Sequence, residues 1–406
     1  MTPPAKRRRL SPPELNADVT GEILLRLAPD DPALLVRCSL VCKSWRRLLT
    51  ADPVFLRRRR EFHSRRRPPP LLGFLFNQFF ELPDVACFAP TSSLRRLPHP
   101  HHHDWSALDA RHDGLVLFHA MLSCDAEEAA GEHQLVVWDP MTGRRWGIDF
   151  PSSLENFNFS AALLCAADGC DHHRHCNGGV SPFLVAVAST GRYGLTSAAI
   201  YSSETGAWGD EIEHEGPDDA VKIGNPGVQV GNAIYFLCIG SARIVELDTS
   251  ARNLTMFDSP VAGRGWLAEQ DNGLLITAEG GGGGVVGFAF ARGSMLYLWS
   301  REATGGDGAM KWTPRRGINL DPLLLTVPRR RRPHDHFITE KLNLVGFADG
   351  IRVIFAEIGG EVFTIEVSSR RGKRVYRREG IHAVIPFMSF YTPSPGTNLP
   401  VPIEQL

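Results

Sequence analysis

The feature that most constrains this 406-residue chain is a degenerate repeat. An apolar stretch, a polar turn and a second stretch that often carries an aromatic recur as "FAPTSSLRRL", "VVWDPMTGRRW", "AIYSSETGAW", "VELDTSARNLTMF", "LYLWSREATGGDGAMKW" and "IEVSSRRGKRVY". Anchored on the first turn residue, the copies fall at Ala89, Asp139, Ser202, Asp248, Ser300 and Ser368, with steps of 50, 63, 46, 52 and 68 residues. Periods of about 40–50 residues, lengthened by loop insertions, are those of propeller blades. A single four-stranded blade cannot bury both of its faces, whereas a ring of blades buries them and leaves only short protected edges. Six copies predict about six blades over residues 71–395. The short apolar runs there ("GLVLF", "FLVAVA", "AIYFLCI", "IRVIFAEI") are separated by Gly, Asp, Asn and Pro, as strands and turns require. "LLGFLF" (71–76) is expected to pair with the C-terminal "IPFMSFY" (385–391) and close the ring.

Residues 15–62 follow a different period. Asp18 is a candidate N-cap for a helix over Asp18–Leu27, with Val19, Ile23, Leu24 and Leu27 on one face. A second helix starts near Pro32, a favoured first-turn residue. A third spans Ser39–Thr50 with Val41, Cys42, Trp45, Leu48 and Leu49 as its stripe, and "ADP" (51–53) ends it. Three short helices over about 45 residues make a marginal core, so some large apolar side chains should stay exposed until a partner covers them. Charge divides at the same place. Residues 1–70 hold 16 Lys/Arg against 7 Asp/Glu, and the remainder 28 against 38. The expected organisation is a disordered basic tail (1–14), the helical domain (15–62), an Arg/Pro-rich linker (63–70), the β domain (71–395) and a C-terminal tail (396–406). The fold class is thus a multidomain α+β chain: a small three-helix unit followed by an all-β, propeller-like domain of about six blades.

Leu15–Ala28 and Arg37–Arg60 resemble the F-box. The matching residues include Leu15, Asp18, Glu22, Ile23, Leu24, Leu27, Pro29, Leu34, Arg37, the Val41-Cys42-Lys43-x-Trp45 run and Asp52-Pro53-x-Phe55, at the family's spacing. Asn16 departs from it, standing where the family usually has Pro. The rest resembles the large plant group of F-box proteins with a kelch-related, propeller-like associated domain, through "PPPLLGFLFN", "DGLVLF", "LVVWDPMTGRRW", "AAIYSSETGAWG" and "GNAIYFL". The resemblance implies a substrate-recruiting subunit of an SCF-type (Skp–cullin–F-box) ubiquitin ligase. Its F-box would bind a Skp-type adaptor, and through it a cullin-RING scaffold, while the propeller binds a target protein. Leu15, Ile23, Leu24, Pro29, Leu34 and Val41 are the expected adaptor face, joined by Cys42 and Trp45, although Trp45 fits the unit's own core equally well. Such a subunit is no enzyme: it acts by proximity, raising the effective concentration of target lysines. The alternative is an F-box/propeller scaffold without ubiquitin transfer.

Rival motifs are weaker. "CAADGCDHHRHC" (165–176) clusters zinc-type ligands but lacks the second knuckle of a structural site. "GGGVVG" (282–287) matches a dinucleotide fingerprint, yet the residues after it read as strand, not as the helix that motif needs. The Arg runs at 57–60, 65–67 and 329–332 have no interleaved aromatics for base stacking, so linker and loop are preferred to nucleic-acid contact. No nucleophile elbow or P-loop is present, and no cofactor is implied. No run reaches the roughly 18 apolar residues of a membrane span. Eight Cys without a regular framework fit reduced thiols in the nucleus or cytoplasm, and Lys6–Arg9 could serve nuclear import.

Overall fold

A computed structural model describes residues 16–78, 85–98, 105–111, 114–122, 132–154, 158–166, 182–191, 195–216, 221, 225–239, 243–262, 272–280, 283–304, 309–324 and 342–393. It opens with four helices, α1 (Ala17–Leu25), α2 (Pro32–Ser39), α3 (Lys43–Thr50) and α4 (Pro53–Ser64). The sequence predicts three. Where the sequence pattern ends the third helix at "ADP" (51–53), Asp52 turns that end into a new beginning. Its carboxylate accepts from the backbone N–H groups of Val54 and Phe55 at 3.0 and 2.9 Å, and Pro53 supplies a preset first-turn φ. Asp31 and Pro32 repeat the device at α2, where Asp31 accepts from the Leu34 N–H. The first cap is Asn16 rather than Asp18: its side chain accepts from the Asp18 N–H at 3.1 Å. The family's Pro is therefore replaced by a residue that starts the helix by hydrogen bonding.

The remainder forms six antiparallel sheets. β1 (Leu71–Gln78) and β2 (Val85–Pro90) belong to the first. The second blade is β3 (Trp105–Ala110), β4 (Val116–Leu122), β5 (Glu132–Trp138) and β6 (Arg145–Asp149). The third is β7 (Phe159–Cys165), β8 (Phe183–Thr190) and β9 (Leu195–Ser202), its outer position shared by β10 (Ala207–Trp208) and β11 (Ile212–Glu215). The fourth is β12 (Val228–Val230), β13 (Ala233–Leu237), β14 (Arg243–Asp248) and β15 (Asn253–Asp258). The fifth is β16 (Gly273–Gly280), β17 (Gly283–Arg292), β18 (Met295–Thr304) and β19 (Ala309–Asn319). The sixth is β20 (Asn343–Ala348), β21 (Val353–Ile358), β22 (Glu361–Glu366) and β23 (Gly372–Arg377). Finally β24 (Val384–Met388) pairs antiparallel with β1, Phe74 opposite Pro386 and Leu75 opposite Ile385, and so becomes the inner strand of the first blade. The expected closure is the observed one. Neighbouring inner strands follow one another around the ring as β24, β3, β7, β12, β16, β20 and back to β24. At that last junction a Cβ on Gly346 would run into the Val384 carbonyl, so only glycine lets the closing strand approach. Gly283, Gly284 and Gly287 lie within β17, a strand, so no helix follows them to receive a pyrophosphate.

The sequence repeat is the outer hairpin of a blade. Asp139, Ser202 and Asp248 open five-residue turns in which the side chain accepts from backbone N–H groups two or three residues on. The turns end in the left-handed region at Gly143, Gly206 and Arg252. Two anchors misplace the hairpin. Ser300 lies inside β18 opposite Thr313, and Ala89 lies inside β2. In the sixth blade Ser368 falls two residues late: Glu366 opens the turn, its N–H donating to the Arg371 carbonyl at 3.0 Å. The count of six holds because the omissions and additions fall within blades.

Polar clasps between blades explain why the outer strand carries Trp. Trp208 Nε1 donates to the Asp149 carbonyl at the end of the preceding outer strand, and Trp312 Nε1 to the corresponding Asp258 carbonyl, both at 2.9 Å. On the inner strands, Asp109 accepts from the Leu163 N–H at 2.7 Å, and burial pushes its carboxyl up to about 7.

Candidate functional site

The helical unit carries apolar side chains of two kinds. Leu24, Leu25, Leu35, Val36, Leu49 and Phe55 are buried in a single cluster with Leu72, Leu75, Leu94, Phe387 and Tyr391 of the propeller. The first blade makes room for this. Where other blades have an outermost strand, the chain here runs Thr91–Pro98 without one. Ser93 in that stretch donates to the Asp31 carboxylate at 2.8 Å and accepts from the Ala33 N–H at 3.0 Å, so the cap of α2 is also its fastening to the propeller. Burial alone would raise the Asp31 pKa, but the hydrogen bonds from Ser93 and the Leu34 N–H outweigh it and hold the carboxyl below its usual range.

Beneath α4, Arg59 is only 4% exposed and donates to the Tyr391 carbonyl at 3.3 Å. Its Nε and Nη2 meet no partner among the described residues, and burial, with the charge of Arg60 adding to it, pushes the guanidinium down to about 10. His63 on the same helix donates from Nε2 to the Leu25 carbonyl at 2.9 Å, and burial and the neighbouring Arg59 charge hold it below its usual pKa. Glu22 of α1, hydrogen-bonded first to Arg26 at 2.6 Å and also to Arg58 of α4, is pulled below the ordinary carboxylate range.

Other apolar side chains of the unit are left uncovered. Val19 and Ile23 stand one turn apart on α1, Leu40 and Val41 form the corner between α2 and α3, and Val54 opens α4. These five are 45–72% exposed. Among the described residues only three other large apolar side chains are exposed, Ile239 and Tyr297 at 39% and Met310 at 47%, all on the propeller. Concentration of such residues on 49 positions is what marks a docking surface, since scattered ones are ordinary.

Of the sequence-predicted adaptor residues, Ile23, Val41 and Cys42 are exposed, while Pro29, Leu34 and Trp45 are half-buried, Trp45 packing against the shared core. Leu15 lies outside the described residues. Leu24 must be corrected: it is 0% exposed, because with Leu25 it packs into the core shared with the propeller, while Val19 and Ile23 of the same predicted stripe stay exposed. Val19, Leu40 and Val54 went unassigned. Val19 was within reach of sequence reasoning, one turn before Ile23 on the same face. Leu40 and Val54 sit at helix ends whose boundaries decide their exposure.

The architecture is thus a small helical unit with uncovered apolar side chains, anchored to a six-blade propeller. Family models agree on both parts. Residues 13–57 match the F-box domain, and residues 172–394 match "F-box protein AT5G49610-like, beta-propeller". The second match covers more than half of the chain, which therefore belongs to that family of F-box proteins with a β-propeller, a family of typically non-catalytic, substrate-receptor type. No curated protein matches the chain. Solved structures resemble it weakly. A candidate 6-phosphogluconolactonase from Bacteroides fragilis has 12% identity over 77% of this chain and 83% of its own, TM-score 0.38. The Cps50 (Swd1) β-propeller domain of Myceliophthora thermophila has 10% identity over 68% and 85%, TM-score 0.34. Neither likeness bears on activity.

Proposed function

We propose that this chain is the substrate-recruiting subunit of an SCF-type ubiquitin ligase, its F-box docking a Skp-type adaptor and its propeller holding a target protein. The observation that carries the reading is the open apolar face of Val19, Ile23, Leu40, Val41 and Val54 on a unit whose opposite side is sealed to the propeller. An adaptor seated there would hold the ring in one orientation, and the chemistry would occur on a conjugating enzyme elsewhere in the assembly. The chain's share is to keep target lysines at high effective concentration. Nucleus and cytoplasm, where such assemblies work, are the proposed locations.

The test uses the full chain with a Skp-type adaptor. The wild type is expected to recover adaptor and cullin together and to promote ubiquitin transfer to whatever the propeller captures. Ile23→Asp and Val41→Asp should each weaken adaptor binding by more than about tenfold, the scale of losing an interface anchor. Undiminished binding in both variants removes the assignment of this face. Adaptor recovery without cullin would favour a scaffold role instead.

A further inference from the structure

The outer wall of the fifth and sixth blades carries a concentration of positive charge that adaptor docking does not use. Residues 370–378 hold Arg370, Arg371, Lys373, Arg374, Arg377 and Arg378 with no acidic residue among them. All six are exposed. Lys311, Arg315 and Arg316 stand exposed on the adjacent outer strand, β19. β19 reaches the hairpin that precedes β23, where Arg316 Nη1 donates to the Val367 carbonyl at 2.9 Å. This runs against the trend of the chain beyond residue 70, which is net acidic.

Part of the charge is already spoken for. Glu361, 2% exposed, takes Arg374 at 3.2 Å and Arg377 at 3.8 Å; Arg315 is paired with Glu302; and Arg378 lies over the Phe76 ring at 5.8 Å. Arg370, Arg371 and Lys373 have no acidic partner among the described residues. They are clustered at the hairpin that leads into β23, where Arg370 is held in the left-handed region at φ 60. Each pays a repulsive cost for the others, small in water but cumulative. β23 is also the terminal strand of its sheet, so one side of its backbone is unpaired among the described strands.

We infer that this wall binds an acidic, extended protein segment, which would lie along the open edge of β23 with its carboxylates on Arg370, Arg371 and Lys373. An added strand takes its affinity from main-chain hydrogen bonds, and the cations select for acidic side chains. Nucleic acid fits less well, because the aromatic of this strand, Tyr376, is turned into the ring against Phe74 and Phe76 at 5.8 and 5.5 Å and offers no surface for base stacking. The inference rests on the receptor reading only in naming a target's chemistry. A binding measurement without ubiquitin transfer keeps the two distinguishable.

The probe is a fluorescent twelve-residue peptide alternating Glu with Val and Thr, titrated by anisotropy against the full chain. Binding is expected to weaken with salt and to fall about tenfold or more in Arg370→Glu/Arg371→Glu/Lys373→Glu, as loss and reversal of several exposed pairs should produce. Lys311→Glu, on the neighbouring strand, should cost far less. A peptide with Pro at alternate positions, unable to donate to a sheet edge, should bind worse than the parent at equal charge. Equal binding by the triple variant, or tighter binding of a single-stranded oligonucleotide than of the peptide, overturns the inference.

Discussion

The helical unit and the propeller solve the same problem of unburied apolar surface in opposite ways. The propeller closes on itself. Each blade covers its neighbour, β24 returns to complete the first blade, and interblade clasps such as Trp208–Asp149 and Asp109–Leu163 fix the stacking. The helical unit is too small to close. One side borrows the propeller as its core, and the other is left open. The lesson is that an exposed apolar residue and a buried one on the same short helix, Ile23 and Leu24, belong to two different interfaces, one within the chain and one that awaits a partner.

That comparison can be broken most directly at Leu24. Leu24→Ala should lower stability by about 2–5 kcal/mol, the cost of emptying a fully buried leucine site, read by equilibrium urea unfolding of the full chain. If the loss is negligible, the shared core is not what holds the unit. Arg59→Met comes next and has the opposite sign. It removes a buried cation that donates only one hydrogen bond among the described residues, so stability should be unchanged or rise by about 1–2 kcal/mol, as replacement of buried charge by an apolar side chain can do. A marked loss in the same assay would mean that the guanidinium holds the junction together.

Asp109 tests the propeller side through pH. Its folded pKa, about 7, lies above the ordinary carboxyl value, so the folded state holds the proton more tightly than the unfolded one. Its contribution is therefore most favourable at acid pH and is lost as pH rises through about 4 to 7. Urea midpoints measured across that range should fall less steeply in Asp109→Asn, which keeps one acceptor for Leu163. His119, pushed down to about 4 by burial and by the charge of His133, contributes with the opposite sign, so only the difference between variant and wild type isolates Asp109. Parallel pH profiles would remove Asp109 from the account.

The smallest effects should be at the two surfaces. Trp208→Phe keeps the ring and loses the donor to the Asp149 carbonyl, at a cost of about 0.5–1.5 kcal/mol. Val41→Asp should change stability by less than about 0.5 kcal/mol even while it weakens adaptor binding, since its side chain is 63% exposed. Were Val41→Asp as destabilising as Leu24→Ala, the two sides of the unit would not be distinct.

Much of the architecture could be read from residue order, because its signals are local. Turn residues at Asp139, Ser202 and Asp248 act on their own backbones, period-two runs make strands wherever they pack, and Asp31-Pro32 starts a helix with few other contacts. Even the pairing of β1 with β24 followed from two apolar runs at the ends of a repetitive chain. What residue order could not settle was which way each helix faces. Leu24 and Ile23 are equally apolar, and only the propeller's missing outer strand, with Ser93 and Tyr391 in place, decides that one is core and the other surface. The same holds for α4, whose arginines read as a solvated connector until Asp52 capped a helix and Arg59 was carried beneath it. Local chemistry sets the elements, but burial depends on what lies across the gap, and that neighbour is supplied by residues hundreds of positions away.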